Sequence, residues 1–74
     1  MEALTIVEAQ DCLDAIVRLY KARVVGSDAS LAALRALRAR ASDVVVQDRD
    51  AKTAKEELFT AIGQARAEMI AVYR

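Results

Sequence analysis

Histidine, tryptophan and proline are absent from this chain, which also has one cysteine and only two glycines. Without histidine, no side chain ordinarily titrates near neutral pH to perform acid–base work. A single cysteine excludes an internal disulfide, and Cys12 with carboxylates alone is a poor zinc set. No apolar run approaches the roughly 18 residues that a membrane span needs. Charge of either sign is missing in excess, since 11 basic residues balance 11 acidic ones. That balance argues against a dedicated nucleic-acid binder, which normally carries a basic surplus, and against an acidic mimic of DNA.

What is present favours helices. Hydrophobic residues make up 55% of the chain but aromatics only 4%, with alanine supplying much of the difference. Alanine is the best helix former and buries little area, so leucine, isoleucine and valine must build the core. Phe59, Tyr20, Tyr73, Met1 and Met69 add volume. Residues 1–74 read as one helical domain. A chain this short buries only about 60% of the surface its unfolded form exposes. With no disulfide or metal to reinforce it, regular helix packing or oligomerisation is expected to supply the rest.

The first helix has a clear start, because Thr5 and Glu8 stand at capping-box spacing. Ile6, Ala9, Leu13, Ile16, Tyr20 and Val24 then recur at steps of three and four, with Val7, Val17 and Leu19 widening the stripe. Acids come early and bases late, matching the helix dipole. Gly26 fits a left-handed C-terminal cap. Ser27 or Asp28 can cap a second helix with the stripe Leu31, Leu34, Leu37, Ala41, Val44 and Val45. Three valines in a row are a weak strand signal, and the run is read as helical.

Residues 47–53 are polar and hold two candidate caps, Asp50 and Thr53, but no glycine or proline. Two architectures follow. The favoured one is a small all-α three-helix bundle with a turn near Asp48 to Asp50. The alternative is a helical hairpin whose second arm runs from Asp28 to about Tyr73, a length of roughly 70 Å. The last helix is broad on its apolar side, with Leu58, Phe59, Ile62, Ala65, Met69, Ile70, Val72 and Tyr73. Leu13, Ile16, Leu34, Leu37, Leu58, Ile62 and Met69 lie at stripe centres and are the expected core or interface.

No Gly-rich phosphate loop, metal-ligand spacing or nucleophile elbow occurs. Cys12 stands between Asp11 and Asp14, away from the basic groups that activate a thiol, and reads as a small apolar residue at a stripe's edge. The carboxylate pairs Asp11/Asp14, Asp48/Asp50 and Glu56/Glu57 lack a third converging ligand and read as solvated faces. No catalysis and no cofactor or metal are expected. Arg35, Arg38 and Arg40 on the second helix are the most suggestive polar feature. Arg35 and Arg38 share a face, Arg40 does not, and no aromatic residue interleaves with them in sequence to stack on bases.

Small helical proteins of bacteriophage virions and phage-encoded inhibitors share this size and composition. The opening Thr5-x-x-Glu8-Ala9 is similar to that of some small phage head–tail joining proteins. The likeness covers the first helix and gives no residue a role. The expected function is a non-catalytic protein–protein interaction module that is not a monomer and binds another protein or itself, a homo-oligomer being expected: an adaptor, an assembly subunit or an inhibitor. Its partner-binding residues would be Phe59, Ile62, Gly63, Arg66, Met69, Ile70 and Tyr73, with Arg35, Arg38 and Arg40 meeting an anionic partner. The alternative is a small dimeric regulatory protein that presents those arginines to nucleic acid. A free cysteine and the absence of a basic, apolar leader at Met1 to Ala3 suit a cytoplasmic setting.

Overall fold

Three helices account for most of the described residues in the computed structural model, which describes residues 4–73 and the side chains of residues 4–71. Helix α1 spans Ile6–Lys21, α2 spans Ser27–Ser42 and α3 spans Arg49–Tyr73. Each packs against both of the others, and no strand occurs among the described residues. The longest dimension is 39 Å. At ~1.5 Å per residue that is the length of α3 alone, so the roughly 70 Å arm of the hairpin alternative does not exist.

Helix α1 begins as its sequence dictates. The Thr5 hydroxyl accepts from the Glu8 amide at 3.1 Å, and the Glu8 carboxylate accepts from the Thr5 amide at 3.2 Å. Two otherwise orphaned donors are satisfied reciprocally. Its end differs from expectation. The left-handed residue is Arg23, with φ of 61°, and not Gly26. The Arg23 amide donates to the Tyr20 carbonyl at 3.0 Å and the Val24 amide to the Leu19 carbonyl at 3.0 Å. These are the two bonds of a Schellman cap, closed here by a residue with a side chain. Gly26 is extended and instead caps the start of α2 through its own carbonyl, which accepts from the Ser30 amide at 3.0 Å. Ser27 and Asp28, expected as caps, lie inside the first turn. There the Asp28 charge complements the positive end of the helix.

The break between α2 and α3 comes earlier than the sequence suggests. Val44, Val45 and Val46 are not helical, and Val45 is 83% exposed. Crowding at the β-carbons makes a run of valine a poor continuation once the apolar partner face ends. Asp48, not Asp50 or Thr53, caps α3: its Oδ1 accepts from the Ala51 amide at 2.7 Å. Opposite, the Lys55 ammonium donates to the carbonyls of Val44 at 2.8 Å and Ser42 at 3.3 Å, at the C-terminal end of α2.

The core forms where the three stripes meet. Leu58, Ile62, Ala65 and Met69 supply one row of α3, Leu34, Leu37 and Ala41 face it from α2, and Ala9 and Leu13 from α1. Ile16, Val17 and Tyr20 pack at its margin. Three of these nine buried apolar residues are alanines, and Ala9 and Ala41 are 0% exposed. Close helix approach at small residues replaces volume that aromatics would otherwise supply. Ser30 is also buried, and among the described residues its hydroxyl has no hydrogen-bond partner. The widening residues Val7 and Leu19 face water, as does Val24 beyond the helix. Cys12 is exposed as well.

Candidate functional site

A groove of about 570 Å³ runs between α2 and α3. Helix α2 brings Leu31, Leu34, Arg35 and Arg38 to it, and α3 brings Phe59, Ile62, Gly63, Arg66 and Ile70. These positions follow directly from helical spacing. On α2 the steps from Leu31 to Leu34 or Arg35, and on to Arg38, keep to one face. On α3 the steps from Phe59 to Ile62 or Gly63, Arg66 and Ile70 do the same.

The groove has a layered chemistry. Leu34 and Ile62 are core residues that close its base. Leu31, Phe59 and Ile70 are half-buried and line its apolar sides. Arg35, Arg38 and Arg66 are exposed and carry its positive charge. Gly63 is exposed, and a β-carbon built on it would meet nothing within 4 Å. The backbone of α3 is therefore open to close approach from the groove side. The guanidinium carbon of Arg38 lies 5.9 Å from the centre of the Phe59 ring, and the Lys55 ammonium lies at the same 5.9 Å. Both are at the outer limit of a cation–π contact.

A second concavity, between α1 and α3, contrasts with the first in charge. Asp14 and Glu68 stand there with Arg18 and Lys21, so its charges balance. Among the described residues lining the α2/α3 groove there are three arginines and no carboxylate. Among the described residues no group of histidine, cysteine or acidic side chains could hold a metal ion. No described helix is long and apolar enough to cross a membrane.

The structure gathers most, but not all, of the residues singled out from sequence. Phe59, Gly63, Arg66 and Ile70 meet Arg35 and Arg38 in one place. Arg40 is exposed but lies outside the groove. Ile62 and Met69 are 2% and 1% exposed, so they serve the core and offer little surface to a partner. Both sit on the row that turns toward α1 and α2, and a small bundle must bury that row to fold. The Tyr73 side chain lies outside the described residues. Among the described residues the large exposed hydrophobics are Val7, Leu19, Val24 and Val45, none of them on α3.

Two features escaped the sequence reading. Phe59 stands beside the arginines in space although no aromatic neighbours them in the chain. Lys55 is the second cation at that ring, and its i, i+4 spacing from Phe59 is a signal that could have found it. No protein-family model, curated protein or solved structure matches the chain.

Proposed function

We propose that this protein is a non-catalytic helical module that binds another protein, or a second copy of itself, through the α2/α3 groove. It would act as an adaptor, an assembly subunit or an inhibitor. One observation carries the reading: a groove lined by apolar side chains, an open glycine and three arginines. Apolar floors rimmed by polar groups are the usual form of a contact site, and aromatic and arginine side chains supply much of the energy in such sites. An exposed thiol at Cys12 suits a reducing, cytoplasmic setting.

The test is capture with and without a blocked groove. Gly63→Trp puts a large side chain into the groove lining at an exposed position where a β-carbon would meet nothing within 4 Å. Ala15→Trp, on the exposed side of α1, is the control. Proteins retained from an extract of the native cells should be lost with Gly63→Trp and kept with Ala15→Trp. A shift from dimer to monomer with Gly63→Trp alone would identify the partner as a second copy. Retention of the same proteins by both variants would defeat the reading.

A second reading has one observation in its favour. Arg35 and Arg38 share the groove with an aromatic ring, a combination that single-stranded nucleic acid uses. Against it, the Phe59 ring already has two cations 5.9 Å from its centre. Binding to an oligonucleotide at low salt, lost in Arg35→Ala and Arg38→Ala, would promote it.

A further inference from the structure

We infer that the occupant of the α2/α3 groove is an acidic amphipathic helix of another protein, its apolar row over Gly63 and its carboxylates paired with Arg35, Arg38 and Arg66. This rests on the groove being a docking surface. What it adds is the chemistry of the partner.

Charge is the first argument. The chain as a whole is neutral, so three arginines with no carboxylate among the described lining residues are a local excess. Complementary potential is what selects a partner and excludes wrong ones. A lysine-rich segment entering this groove would bring like charges together at three points. Arginine also presents a planar fork that matches a carboxylate with two parallel hydrogen bonds.

Backbone chemistry is the second argument. Both walls of the groove are helices, whose amides and carbonyls are already paired along their middles. An extended peptide laid between them would find no backbone partners for its own groups, and burying such groups unpaired is costly. A helix satisfies its backbone internally and needs only side-chain contacts, as in other helix-in-groove complexes. Gly63 marks the crossing point, because open space above its α-carbon lets a second helix come close to the α3 backbone.

Apolar content is the third argument. Leu31, Phe59 and Ile70 are half-buried, so each keeps surface to offer. They lie along the groove on both sides of Gly63. A partner row with apolar residues at steps of three and four would meet them in turn.

The experiment is selection from a displayed library of helical peptides, randomised at all surface positions, with the intact chain as bait. Peptides recovered should carry an apolar row flanked by Asp and Glu. Their affinity should fall at least about tenfold in the triple variant Arg35→Gln, Arg38→Gln, Arg66→Gln, and steeply with added salt. It should be lost in Gly63→Trp. Because the three arginines are exposed, their replacement does not threaten the fold. Circular dichroism of each variant is the check on this. Recovery of basic or uncharged peptides that still fail on Gly63→Trp would overturn the acidic assignment while leaving the docking surface intact. Peptides that bind Gly63→Trp as well as the unmodified chain would overturn both. No enrichment at all would overturn the inference. So would a single-stranded oligonucleotide that outcompetes every recovered peptide.

Discussion

The ammonium of Lys55, on α3, donates to the carbonyl oxygen of Val44 at 2.8 Å, just beyond the end of α2. The same nitrogen reaches Ser42 at 3.3 Å. Two carbonyls at a helix terminus, which ordinarily face water or a cap, are satisfied by one side chain from a neighbouring helix. A positive charge there also complements the negative end of α2. Lys55→Met keeps the length of the side chain and removes the donor. Denaturant unfolding should show a loss of about 1–2 kcal/mol. Lys52→Met, at an exposed position of the same helix, should leave the midpoint within about 0.5 kcal/mol.

Arg23 occupies the left-handed position of the α1 cap, where a side chain is strained by about 1 kcal/mol relative to glycine. Arg23→Gly keeps both cap bonds and relieves that strain. The melting temperature should rise by several degrees, as expected for about 1 kcal/mol in a domain of this size. A fall would show that the arginine side chain itself holds the turn.

Ser30 is 1% exposed and its hydroxyl is unpaired among the described residues. Ser30→Ala removes a desolvated polar group without disturbing the backbone. It should stabilise the fold or leave it unchanged, whereas most buried substitutions destabilise. A loss above about 1 kcal/mol by thermal or chemical unfolding would mean that the hydroxyl has a partner after all.

Gly63 sits in the interior of α3 with free space where a β-carbon would lie. Gly63→Ala should therefore add up to about 1 kcal/mol of stability through helix propensity alone. If the groove is used as proposed, stability and binding will respond differently to larger residues here. Alanine should be tolerated by the partner better than tryptophan, and calorimetric titration of each variant would show the order.

Leu34 and Ile62 face each other's helices at 1% and 2% exposure. Leu34→Ala and Ile62→Ala should each cost about 2–5 kcal/mol, enough to unfold much of a small domain near physiological temperature. Val45→Ala, at a position 83% exposed, should cost almost nothing in the same denaturation assay.

The core was legible in the sequence because burial in a small bundle follows periodicity closely. The row Leu58, Ile62, Ala65 and Met69 could be counted off directly. The start of α1 was legible because a capping box is a local signal made by residues three apart. The ends of the elements were less so. Arg23 takes the left-handed position expected of Gly26, and Gly26 takes the cap expected of Ser27 or Asp28, since a cap depends on where the preceding helix stops, and tertiary packing decides that. Val44 to Val46 kept the helical phase but left the helix, because phase says nothing about whether a partner face continues. The groove was half legible. Its residues could be named from each helix separately, but which arginines would meet Phe59 depended on how α2 and α3 pack.

Ala9 and Ala41 are completely enclosed within the core. At those points the limit on the molecule is room, not greasiness. A change to valine or leucine there makes the sequence more apolar and still harms it, because a fully enclosed position has nowhere to put more atoms, at a cost of about 1–3 kcal/mol. Sequence drift in this protein is thus constrained in two opposite directions. Leucine positions resist becoming smaller, alanine positions resist becoming larger, and a hydrophobicity score alone would rate the second kind of damage as harmless.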